Sequence, residues 1–258
     1  MQIPIDHLVL LCLGFFAVAT LYSAVGFGGG SSYLALLSLV LVSFFAIRSI
    51  ALVCNLVVVS GSTYLYVKNG HAKLTDFAPF VIASIPLAYL GATFRLQENV
   101  FFMLLGGALI LSSIFLLGQT FALLSPKNET KRYPSYMSYV LGGAIGFLSG
   151  LVGIGGGIFL APLLNHLQWD KAIKIAALAS FFILVNSVSG LLGLVTSNAL
   201  ELPLVETLCL VTAVLLGGQL GIRISLNKLS AKGIKRGTAI LVFIVGIRVL
   251  LVNGLELF

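Results

Sequence analysis

Charge is what this sequence has least of. Only 9% of its 258 residues are charged, eight acidic and fifteen basic, too few to solvate the surface of a globular domain of this size. Its three cysteines, Cys12, Cys54 and Cys209, lie in apolar runs without CxxC spacing, which argues against a disulfide framework or a zinc site. The three histidines, His7, His71 and His166, are scattered with no HExxH among them. No pair of carboxylates falls inside an apolar run, so the chain lacks the usual material of metal or general acid–base catalysis. Asp6, Asp76, Glu98, Glu129, Asp170, Glu201, Glu206 and Glu256 all stand at segment ends or in loops, which leaves an intramembrane proton relay without a carrier. No enzymatic activity, metal or cofactor is expected.

What fills the sequence instead is hydrocarbon. Residues AVILMFWYC make up 59% of the chain and the mean hydropathy is +1.11, values of an integral membrane protein. The first apolar run, Leu8 to Ala24, has neither a basic n-region nor a cleavage pattern and is expected to stay in the mature chain. The net charge of +7 does not point to nucleic acid, because the basic residues occupy loops between apolar runs rather than one solvated face.

Cutting at charges, prolines and glycines gives ten apolar elements, at 7–26, 30–45, 49–67, 77–94, 99–118, 136–152, 157–167, 174–196, 202–222 and 237–253. A full span needs about 20 residues. Elements 30–45 and 157–167 are too short to cross comfortably and directly follow two matching clusters, Gly26-Phe27-Gly28-Gly29-Gly30 and Gly153-Ile154-Gly155-Gly156-Gly157, 127 residues apart. The expected architecture is an all-α polytopic membrane protein of two repeats, residues 1–118 and 136–258, joined by a polar cytoplasmic linker at 119–135. With five elements each, the second repeat enters the membrane inverted, and each carries a glycine-broken or re-entrant helix.

Alternating sides along the elements places Lys68, Lys73, Lys127, Lys131, Arg132, Lys171, Lys174, Arg223, Lys228, Lys232, Lys235 and Arg236 on one face, against Arg48 and Arg95 on the other, with Arg248 inside the last element. That bias puts the rich face in the cytoplasm and both termini outside. Asp76 and Asp170 read as interfacial residues beside Lys73 and Lys171, with Trp169 in the aromatic belt.

Glycine in an apolar run lets a helix break, and at membrane depth the freed backbone groups survive only where they line a protein cavity. A helix that starts at such a break offers unpaired N–H groups and the positive end of its dipole, which suits an anion. The candidate substrate site therefore comprises Gly28, Gly29, Gly30 and Ser31 at one break and Gly155, Gly156 and Gly157 at the other. Asn55, Ser180 and Asn186 join it from the polar clusters of the third element of each repeat. Arg48 could draw anions to an outer mouth. Taken singly, Ser62, Thr63, Ser187 and Ser189 read better as hydroxyls bonding a preceding turn or a neighbouring helix. Close helix packing is the competing use of the glycines.

With Ser23-Ala24-Val25-Gly26-Phe27-Gly28-Gly29-Gly30, with Leu148-Ser149-Gly150-Leu151-Val152-Gly153-Ile154-Gly155-Gly156-Gly157 and Pro162 beyond it, and with the stretches Ala51–Asn55 and Ala176–Ser180, the chain resembles the TauE/SafE sulfite exporter family of anion permeases over nearly its whole length. Ser31 and Ala35 depart from that pattern, which often has an apolar residue and proline there. The resemblance implies a multi-pass carrier in a bacterial cytoplasmic (inner) membrane. Its partners would be the lipid bilayer and a small sulfur oxyanion or organosulfonate, such as sulfite or sulfoacetate, moved outward by alternating access. A coupled proton and an oligomer stay open as further partners, and nucleic acid is excluded. A passive anion channel and a non-transporting membrane partner protein are the alternatives.

Overall fold

The computed structural model describes residues 4–25, 28–40, 43–120, 133–225 and 231–255. Among these there are helices and no strand: α1 Ile5–Val25, α2 Gly30–Ser38, α3 Phe44–Lys68, α4 Leu74–Thr93, α5 Glu98–Thr120, α6 Ser135–Val152, α7 Gly157–His166, α8 Ala172–Thr196, α9 Leu204–Ser225 and α10 Ala231–Arg248, which continues into a π-helical turn, Val249–Gly254. Seven of them, α1, α3, α4, α5, α6, α8 and α9, are long and apolar enough to cross a membrane. Exposed Leu10, Leu13, Ile82, Ile114, Leu192, Leu208, Leu216 and Ile244 form an apolar exterior that only a lipid environment accommodates. The chain is a multi-pass membrane protein.

Element by element the structure follows the expected division; α10 begins at Ala231, six residues before the expected 237, and two further shifts are informative. The third element begins at Phe44 rather than 49, because Ser43 caps the helix by accepting a hydrogen bond from the Ala46 N–H. Arg48, taken from sequence as a point to cut, is therefore inside the helix. The second element is shorter than expected, nine residues, and α7 has ten. At 1.5 Å per residue each reaches about half of a ~30 Å hydrocarbon core. The linker expected at 119–135 lies mostly outside the described residues, as do Gly26 and Phe27.

α3 and α8 form the centre, with 61% and 67% of their apolar stretches buried against 28–44% in the other spans. Around them the two sequence halves interlock. α4 leaves its own half to lie along α6, and α9 lies along α1. Glycines make both pairings close. Methyl groups built on Gly142, Gly146 and Gly150 of α6 would strike the backbone of Phe80, Ser84 and Ala88 in turn, and those on Gly217 and Gly221 of α9 would strike the carbonyls of Phe16 and Thr20. Both pairs therefore run parallel, packed through small-xxx-small ridges. Two large apolar clusters result, one centred on α1, α2, α3 and α9 with α5 and α10 against it, the other on α4, α6, α7 and α8, with a small third at Leu52, Leu194 and Ala199. Exchanging the five helices of one half for those of the other maps each of these pairings onto another: α4·α6 onto α9·α1, α4·α8 onto α9·α3, α7·α8 onto α2·α3.

Polar contacts at the helix ends give directions. The start of α4 meets the start of α8 through Asp76 and Lys174, whose Nζ is 2.5 Å from Asp76 and 2.7 Å from Asp170. The end of α4 meets the end of α8, where Tyr89 bonds Thr196 and Arg95 donates to the Ser197 carbonyl. The start of α3, by contrast, meets the far end of α8: Ser43 donates to Glu201, and Ser49 accepts from the Glu201 N–H. α3 and α8 are thus antiparallel. The carboxylates found beside Lys73 and Lys171 in sequence are bound by Lys174, which also sits 5.4 Å from the centre of the Trp169 ring. Burial favours the protonated Asp170 carboxyl, but hydrogen bonds from Lys174 and the Lys171 backbone outweigh it and hold its pKa below the ordinary value.

Candidate functional site at the glycine breaks

The second break is built by backbone geometry that side chains resist. α6 ends on Gly153 at φ +84°, its N–H bonding the Ser149 carbonyl, and Gly155 and Gly156 follow at +85° and +81°. Three left-handed positions in four residues turn the chain between α6 and α7 and explain why glycine fills them.

The two breaks meet. A methyl on Gly30 would overlap the Ile154 carbonyl and the Asn55 amide, and one on Gly28 would lie 3.2 Å from Asn55 Oδ1 and 3.3 Å from Ile183 Cδ1. From the other side, a methyl on Gly155 would lie 2.8 Å from Ile183 Cγ2 and 3.1 Å from Asn55 Nδ2, while one on Gly157 would overlap Ile183. Asn55 Nδ2 donates to the Ile154 carbonyl at 3.0 Å, so an amide of the first half holds the break of the second. Its Oδ1 has no hydrogen-bond partner. The helix start at Gly30 abuts this contact and that at Gly157 abuts Ile183 beside it, and each helix dipole is positive at that end.

The remaining glycines of the clusters face elsewhere. Gly29 faces the Tyr33 ring and Val18, and Gly156 faces Phe182, Ile145 and Ser149, so their smallness serves apolar packing against α1, α6 and α8. Ser31 is buried in the first turn of α2. Ser180 is buried on α8, but the contacts to the second break come from its neighbours Ala179 and Ile183. Asn186, one turn beyond Ile183, is 1% exposed, and no protein group partners its Nδ2 or Oδ1. Of the hydroxyls read as structural, Ser189 does bond the Ile85 carbonyl of α4, whereas Ser62, Thr63 and Ser187 are buried without a partner.

Arg48 is not at an open mouth: it is fully buried, with its guanidinium against the ends of α4 and α6. Ile183, Val59, Ser187 and the Ile154 carbonyl also face these glycines; sequence reasoning missed Ile183, Val59 and the Ile154 carbonyl, and read Ser187 as structural. Gly28 meets Asn55 and Val59 just as Gly155 meets Ile183 and Ser187. These matching contacts pair Asn55 with Ile183 and Val59 with Ser187, an offset of 128, one more than between the glycine clusters. A cavity of about 360 Å³ between α5, α6 and α7, lined by Met103, Leu111, Phe115, Leu148, Phe159 and Leu163 among others, is apolar and suits an acyl chain, not an anion.

A chain whose two glycine breaks meet between interlocked halves finds its match in one family. The model described as "Sulfite exporter TauE/SafE" matches residues 10–249. The protein named "Probable membrane transporter protein y4hK", from Sinorhizobium fredii (strain NBRC 101917 / NGR234), is 34% identical over 246 residues, covering 93% of this chain and 97% of that one. No solved structure matches. The chain belongs to the TauE/SafE sulfite exporter family.

Proposed function

We propose that this protein is a secondary transporter that exports small sulfur-containing anions, such as sulfite or sulfoacetate, across the bacterial cytoplasmic membrane by alternating access of two inverted halves. The observation that carries the reading is the meeting of both glycine breaks on the Asn55 amide. Helix starts and a side-chain amide offer an anion partial positive charge and hydrogen-bond donors at the break. Membership of the family supports the substrate class. The antiparallel run of α3 and α8, and the exchange of contacts between halves, support an inverted pair with repeats at 1–118 and 136–258 about a cytoplasmic linker at 119–135. The loop charges support a cytoplasmic face bearing the twelve basic residues, with both termini outside.

Gly28, Gly30, Ser31, Gly155 and Gly157 supply the helix starts, with Asn55 and Asn186 as side-chain ligands. Gly29 and Gly156 shape the breaks from behind. No ATP is needed: an inside-negative potential of 100 mV favours the exit of a monovalent anion by about 2.3 kcal/mol. The test is flux of sulfite and sulfoacetate in proteoliposomes under an imposed potential and then an imposed proton gradient. Saturable flux with counterflow, lost in Gly30→Ala, is expected of the carrier. Flux that never saturates would make it a channel, and no flux of either anion would remove the substrate assignment.

A further inference from the structure

Among the described residues, Arg48 is a cation without a carboxylate. It is 0% exposed in the second turn of α3. Among the described residues the ion pairs are those of Lys174 with Asp76 and Asp170. Its Nη2 donates to the carbonyls of Gly150 at 2.7 Å and Ala92 at 3.2 Å, in the last turns of α6 and α4, where carbonyls lack helical partners and the dipole is negative. That clamp uses Nη2 alone. Nε and Nη1, which carry three of the five guanidinium N–H donors, have no acceptor.

The location gives those donors a purpose. A methyl built on Gly153 would lie 3.2 Å from Arg48 Cβ and Cγ, so the arginine stem packs where α6 ends and the second break begins. Seven residues on, two turns along α3, Asn55 holds the Ile154 carbonyl. The break is thus laid along α3 from a permanent positive charge to an amide. Guanidinium keeps its proton in proteins, so the charge persists while the site is closed. The counterpart of Arg48 under the shift of 128 is Ala176, which makes this the site's one-sided charge.

We propose that Arg48 is the charged ligand of the transported oxyanion: its Nε and Nη1 donors bind oxygens of a sulfite or sulfonate group passing the Gly153–Gly157 break, and the guanidinium rests on the two helix ends between passages. This rests on the carrier reading above. A fixed charge, rather than amides alone, selects anions over neutral molecules of the same shape, because charge-assisted hydrogen bonds are the stronger ones.

The test uses the full chain in lipid nanodiscs, titrated with sulfite, with sulfoacetate and with neutral dimethyl sulfone. Binding is measured by calorimetry for wild type, R48K and R48Q, and the Arg48 Nε–H signal is followed by NMR of arginine-labelled protein, assigned by its loss in R48K. Sulfite is expected to move that signal where the sulfone does not, and R48Q to weaken sulfite binding at least tenfold, with R48K between. Should R48Q fail to fold, the wild-type signal still decides. Sulfite binding to wild type that leaves the Nε–H signal in place, or equal affinity in folded R48Q, overturns the role of Arg48 and leaves the carrier standing. No binding of either anion to folded wild type overturns both.

Discussion

A single methyl group distinguishes the glycines that build the site from those that do not. Gly30→Ala would press a methyl into the Asn55 amide and the Ile154 carbonyl, an overpacking that costs about 1–3 kcal/mol. It is expected to abolish anion flux and to lower the melting temperature of the purified protein. Gly107 of α5 has nothing within 4 Å of where its methyl would go. Gly107→Ala is accordingly expected to keep full flux and to gain about 0.5–1 kcal/mol from the helix preference for alanine, read as a raised melting temperature. Asn55→Leu removes the donor from a buried carbonyl, which costs about 1–3 kcal/mol. It is expected to lower stability and anion affinity together in thermal and binding assays. At this scale the sequence told the type of residue but not its aim: six clustered glycines read alike, and only the fold shows that Gly29 and Gly156 point into apolar packing.

At the scale of helices, legibility tracked the range of the interaction. Apolar runs and breaks are local, so ten elements, two of them short, could be read from the chain. The crossing of α4 to α6 and of α9 to α1 joins residues far apart in sequence and left only the small-xxx-small spacing as a trace. Arg48 was misplaced because a charge was taken as a boundary, although Ser43 had already capped the helix. The packing yields a direct expectation: Gly146→Val drives a branched side chain into the Ser84 backbone, and should destabilise by about 1–3 kcal/mol or more, read as a loss of monodisperse protein after extraction. At the other end of α4, Asp170 helps Lys174 tie the α7–α8 loop to the starts of α4 and α8. Its pKa is depressed in the folded state, so its stabilisation is present above the unfolded value of about 3.9 and is lost as pH falls through the folded one. D170N should therefore melt below wild type at pH 7, and the gap should close in thermal scans taken below about pH 4.

For the whole molecule, the proposed orientation is checked by reporters: one fused after Phe258 should be read outside the cell, and one inserted within residues 119–135 inside it. The reverse pattern would turn the protein over without changing its fold. One feature of the centre then bears on how such a carrier runs. Where the first half offers the Asn55 amide, the second offers the hydrocarbon of Ile183, so trading conformations between the halves does not return the same binding site. On the alternating-access reading, the inward-facing and outward-facing states differ in free energy and in grip on the anion. Such a machine still halts at the concentration ratio that the membrane potential dictates, since no protein moves an equilibrium. Yet it fills more readily from one compartment than from the other. On the proposed inverted pairing of the halves, the mismatch of one amide against one branched alkyl group would make the protein a kinetic rectifier, with a direction of ease written into an otherwise twofold design.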